Sequence, residues 1–105
     1  MYKYTIRKGH NSQELLIEFS ISDDEKLFTD FLIQALKPLN ANVKESTDLW
    51  MNDEVILTIR SDIGQFDLSI DNWGFAFIMA ENNQAAIPQI DMCLNSNDLF
   101  VKESP

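Results

Sequence analysis

His10 and Cys93 are the chain's one histidine and one cysteine, so nucleophilic or general-base chemistry would have to start from them or from carboxylates. His10 sits between Gly9 and Asn11, in a turn between two alternating runs. An imidazole there is solvated and has no partner at the spacing of a catalytic pair. Cys93 falls on the apolar stripe of a predicted helix. No histidine or basic residue nearby in sequence would lower its pKa, which makes it a small buried hydrophobe. The C-x-x-C, H-E-x-x-H, G-x-S-x-G and Walker-type patterns are absent, and three scattered glycines cannot cradle a phosphate. Structural zinc has no ligand set. Asp62, Asp67, Asp71 and Asn72 do not match an EF-hand loop, and Gly74 stands at the wrong offset for one. Asp71-Asn72 reads as a hairpin turn, where both side chains tolerate the backbone angles required. Nothing singles out two carboxylates as an acid–base pair. The sequence predicts a non-enzymatic protein with no cofactor and no metal.

Charge is more informative than any motif. Eight Lys and Arg against 17 Asp and Glu leave a net charge of −9 on 105 residues. Between Glu45 and Asp98 there are ten acids and a single base, Arg60, so this span holds the whole imbalance. The rest, with seven acids and seven bases, is neutral. An acidic chain is a poor ligand for nucleic-acid backbone or an anionic membrane and a good one for a basic protein, because complementary fields speed association and select partners. Within the acidic span, Asp48, Asp53, Asp62, Asp67 and Asp71 fall on predicted turns or an outward strand face. Trp50 stands in polar sequence among them. These six residues are the expected partner-binding set, with Trp50 as the aromatic anchor. Trp73, just after the Asp71-Asn72 turn, is expected in the core.

The elements that would carry these residues follow from periodicity. Tyr2, Tyr4 and Ile6 alternate with polar residues as a first strand, and Leu15, Ile17, Phe19 and Ile21 as a second, hairpinned to it. Ser22 to Glu25 has the spacing of a capping box, and Leu27, Phe28, Phe31, Leu32, Ala35, Leu36 and Leu39 recur at helical spacing behind it. Pro38 and the Asn40-Ala41-Asn42 stretch close that helix. Val43–Leu49 reads as a weak or edge strand. Three more strands follow, around Val55–Ile59, Phe66–Ile70 and Trp73–Met79, joined by short turns as an antiparallel meander. A second helix runs from about Ala85 to Asn95 with Ala86, Ile87, Ile90, Cys93 and Leu94 inward. The tail, Asp98–Val101, is expected against that helix. The order β-β-α-β-β-β-β-α predicts a single α+β domain over residues 1–105, a mostly antiparallel sheet of five to six strands with both helices on one face. Leu27, Phe28, Phe31, Leu32 and Leu36 are expected to pack on the strands of Leu57, Phe66 and Phe75.

Composition places the chain in a compartment as well. One cysteine cannot form an internal disulfide, so an oxidising environment is not suggested. The first nine residues lack the apolar core of a signal peptide, and the longest apolar run, Trp73–Ala80, is far short of a membrane span. A soluble cytoplasmic protein is expected.

The run Asp71-Asn-Trp-Gly-Phe-Ala-Phe-Ile78, followed by Asn83, Ala86-Ile87, Ile90, Leu94, Ser96 and Phe100, resembles the C-terminal half of small acidic immunity proteins. These accompany bacterial contact-dependent growth-inhibition and related polymorphic toxins. The likeness covers the last third of the chain together with its size, charge and α+β organisation. It implies a cytoplasmic inhibitor that binds one cognate toxin domain, commonly a nuclease, and occludes its active site. No binding residue transfers by motif, because such families diverge where they touch the toxin. The alternative reading is a small regulatory or adaptor domain that binds another basic protein.

Overall fold

A computed structural model describes residues 2–10, 12–21, 24–49, 51 and 53–104. Seven strands and two helices succeed one another: β1 (Tyr2–Lys8), β2 (Leu15–Ser20), α1 (Glu25–Ala35), β3 (Asn42–Leu49), β4 (Glu54–Ser61), β5 (Gly64–Asp71), β6 (Phe75–Met79), α2 (Ala86–Asn95) and β7 (Phe100–Lys102). A 3₁₀ turn at Lys37–Leu39 follows α1. The α+β class and the antiparallel meander are as expected. The strand count is higher, because the tail forms a strand of its own.

The strands lie in the order β3-β4-β5-β6-β2-β1-β7. Every pairing is antiparallel except β1 with β7. Two long connections cross the sheet: β2 to β3 through α1, and β6 to β7 through α2. Each joins parallel strands, but the two run in opposite directions across the sheet between strands of opposite sense. A half-turn about the sheet normal therefore superposes one crossover on the other. If both obey the right-handed rule, both helices must fall on the same face. They do. Phe28 of α1 packs edge-on against Tyr2 and Phe19, with ring centroids 5.0 and 5.2 Å away. Asp91 and Asn95 of α2 each lie 2.9 Å from the Tyr4 hydroxyl on that same face.

The core is the layer between sheet and helices. Ile17, Phe19, Leu68, Ala76 and Ile78 face Phe28, Leu32, Ile87, Ile90 and Leu94, all fully buried. Phe100 explains the fate of the tail, since it inserts between Phe19 and Tyr2, with centroids 6.0 and 5.5 Å away. To reach them the tail lies parallel to β1. The Tyr2 N–H donates to the Leu99 carbonyl and the Glu103 N–H to that of Tyr4, both at 2.7 Å.

Other expectations are corrected at residue level. Helix α1 is capped by Asp24, whose carboxylate accepts from the N–H groups of Lys26 and Leu27; Ser22 and Asp23 of the expected capping box lie outside the described residues. Leu27, expected inward, is 44% exposed, and Phe31 is half-buried at the margin of the core. Phe75 does not meet the helices at all. Its neighbour Ala76 is the inward residue, and by strand alternation Phe75, Phe77 and Met79 face the other way.

Candidate acidic docking face

Among the described residues, the sheet face opposite the helices has no second layer. Three rows of side chains cross it in register, and a fourth, Asn42, Arg60 and Gln65 on β3, β4 and β5, lies at the β4–β5 turn. Thr47, Ile56, Ser69, Phe77, Glu18 and Thr5 form the middle row from β3 to β1. Beside it run Glu45, Thr58, Asp67, Met79, Leu16 and Arg7. On the other side Leu49, Glu54 and Asp71 stand abreast on β3, β4 and β5. Phe75 and Trp73 continue beyond Asp71 towards the turn.

The two halves of this face differ electrically. On β1 and β2 the charges are matched. Arg7 donates from Nε and Nη2 to Oε1 of Glu18 at 3.1 and 2.8 Å, and its guanidinium lies 5.8 Å from the centre of the Phe77 ring. Lys3 lies 3.8 Å from Glu103. On β3, β4 and β5 the carboxylates are unmatched: among the described residues none of the ion pairs involves Glu45, Glu54, Asp67 or Asp71. Ser69 is buried between strands, and its hydroxyl donates to Glu54. The acidic half thus surrounds the half-buried Ile56 and borders the exposed aromatic pair Trp73 and Phe75.

The five expected binding residues that are described are not brought together. Asp67 and Asp71 lie on the open face. Asp48 pairs with Val55, a residue of the helix side, so it points the other way from the edge strand. Asp53 occupies the β3–β4 turn in a left-handed conformation, φ 52°. Asp62 is at the opposite end of the sheet, where its carboxylate accepts a 2.6 Å bond from the Asn40 amide. Trp50 lies outside the described residues. Trp73, expected in the core, is 69% exposed. Sequence reasoning passed over Glu45, Glu54, Trp73 and Phe75 as site residues. For Glu54 a signal existed, since it shares parity with Ile56 and opposes Val55, Leu57 and Ile59. Glu45 had none, because a bulge between Val43 and Glu45 shifts the register.

The residues suited to covalent chemistry are elsewhere. His10 is exposed in the β1–β2 turn. Cys93 is half-buried in a groove of about 670 Å³ between the 3₁₀ turn and α2, lined also by Ala35, Leu39 and Met92. Burial pushes its thiol pKa up, away from the thiolate form. Burial also raises the Tyr4 phenol, helped by its hydrogen bond to Asp91 and by the charge of that carboxylate. Among the described residues no three His, Cys, Asp or Glu side chains converge to hold a metal ion, and no helix is long and apolar enough to cross a membrane. Comparison with protein-family models, curated proteins and solved structures gives no match to this chain.

Proposed function

We propose that this chain is a non-enzymatic, protein-binding inhibitor of the immunity kind. It neutralises a cognate toxin domain, a basic nuclease, by laying its acidic sheet face over the toxin's active site. The observation that carries this reading is the face opposite the helices, on which, among the described residues, Glu45, Glu54, Asp67 and Asp71 have no ion-pair partner around an apolar centre. A site built to hold nucleic-acid phosphates presents lysine and arginine, so carboxylates on a rigid sheet meet the charges that the substrate would meet. The apolar residues add the non-directional part of the affinity.

The test follows from gene order, because an immunity gene normally lies immediately after its toxin gene. The product of the preceding gene, co-expressed with this chain carrying an affinity tag, should co-purify as a stoichiometric complex and lose its nuclease activity in it. Capture should slow as salt is raised, with little change in release, since exposed charges act on the association rate. Absence of a complex, or full nuclease activity within one, would refute the proposal. Binding to a neighbour without toxic activity would favour a regulatory or adaptor role instead.

A further inference from the structure

One corner of the open face is built against its own stability. Glu54 and Asp71 are direct cross-strand partners in the β4–β5 ladder, and like charges so placed repel. Among the described residues neither belongs to an ion pair. Both are nevertheless held in place. The Ser69 hydroxyl donates to Glu54. One oxygen of Asp71 accepts from the backbone N–H groups of Trp73 and Phe75, at 2.9 and 3.0 Å. This carboxylate therefore fixes the turn that presents the two aromatic residues, which are 69% and 39% exposed. Each carboxylate serves the local fold through these bonds, yet the two charges still face one another across the ladder and Trp73 stays uncovered.

We propose that this corner anchors the interface and that its occupant is an arginine side chain of a basic partner protein, its guanidinium bridging Glu54 and Asp71 with its flat face against Trp73. The inference rests on the reading that the chain binds a basic protein and specifies the contact. Charge complementarity alone would accept lysine equally. The corner discriminates because a guanidinium offers several donors in one plane, which two neighbouring carboxylates can share, and a weakly hydrated surface that stacks on indole. An ammonium is a compact, strongly hydrated charge that can do only the first.

The probes are N-acetyl-arginine methylamide and N-acetyl-lysine methylamide, titrated into the uniformly ¹⁵N-labelled chain and followed by amide and indole chemical shifts. Arginine should shift the Trp73 indole and the amides of Glu54, Asp71 and Phe75 saturably, at roughly threefold or more lower concentration than lysine. Glu54→Gln keeps the acceptor for Ser69, and Asp71→Asn keeps the oxygen that holds the turn, so both variants remove charge without removing the local hydrogen bonds. Either should abolish the arginine preference, and Glu54→Gln should raise Tm by about 2–5 °C as the repulsion is relieved. Trp73→Ala should equalise the two probes. Equal responses to arginine and lysine in the unaltered chain, or shifts spread equally over Asp48, Asp62 and Asp98, would overturn the proposal. With the neighbouring gene's product, Glu54→Gln or Trp73→Ala should weaken binding roughly tenfold or more. A complex that forms unchanged in both variants would overturn the arginine anchor while leaving the inhibitor reading intact. Failure of the unaltered chain to bind that product would remove the inhibitor reading while the arginine site could still be read from the small probes.

Discussion

Replacing Phe28 and Phe31 separately by alanine tests the packing of α1, because the two residues are alike in chemistry and helix position but not in burial. Phe28 has no exposed surface and meets Tyr2, Phe19 and Phe100 at centroid distances of 5.0, 5.2 and 6.5 Å. Its removal loses the transfer free energy of the ring and leaves a cavity that the sheet behind it cannot close, for about 3–5 kcal/mol. Phe31 is half-buried, with Tyr2 as a ring neighbour at 6.3 Å, and water can fill the space it vacates. Its loss should cost about 1–2 kcal/mol. Against the roughly 5–15 kcal/mol typical of a domain, Phe28→Ala removes a large share and should melt some 12–30 °C lower. Urea unfolding followed by far-ultraviolet circular dichroism gives both values, provided the slope with denaturant is unchanged between variants. Equal costs for the two variants, or less than about 1.5 kcal/mol for Phe28→Ala, would refute the assignment of the α1 contact face.

Two further predictions concern single groups. The raised Tyr4 phenol is neutral in the fold at a pH where the same group in the unfolded chain has begun to ionise. The folded state then binds more protons, so stability should fall as pH rises above about 10, and Tyr4→Phe should flatten that alkaline slope while costing about 1 kcal/mol near neutrality; parallel slopes in the two chains would refute it. Gly64 has φ 103°, and an added Cβ would lie 2.8 Å from the Asn83 amide nitrogen, which donates to the Ile63 and Gln65 carbonyls at 3.1 Å. Gly64→Ala should therefore lower stability by about 1–3 kcal/mol in the same urea assay, and a change within about 0.5 kcal/mol would show that this clamp does not restrain the turn.

How much of this was legible beforehand varies with the length of the pattern. The paired runs Val55–Ile59 and Phe66–Ile70 announce their hairpin because alternation over five residues fixes the inward face of each and the short turn between Ser61 and Gly64 fixes the register. Helix α2 is legible from the spacing of Ala86, Ile87, Ile90 and Leu94, all of which are buried. The β7 strand is not, since three residues with one buried side chain carry no period. Of the candidate site, Asp67 and Asp71 are readable because they alternate with the inward Phe66, Leu68 and Ile70 of their strand. Glu54 was readable by the same rule on β4 but was passed over.

The sequence by itself determined the elements other than β7, most of their turns and the location of the charge, because these depend on residues close together along the chain. Only the tertiary structure decided which side of β6 would be covered. Phe75 and Phe77 on one side are more apolar than Ala76 and Ile78 on the other, and alternation says only that the two sets face apart. The choice came from the strand order, which sends both crossovers over the same face and leaves Phe75 exposed and Phe77 half-buried on the face of the acidic residues. Hydrophobicity is a property of a residue, whereas exposure depends on what the rest of the chain places in front of it.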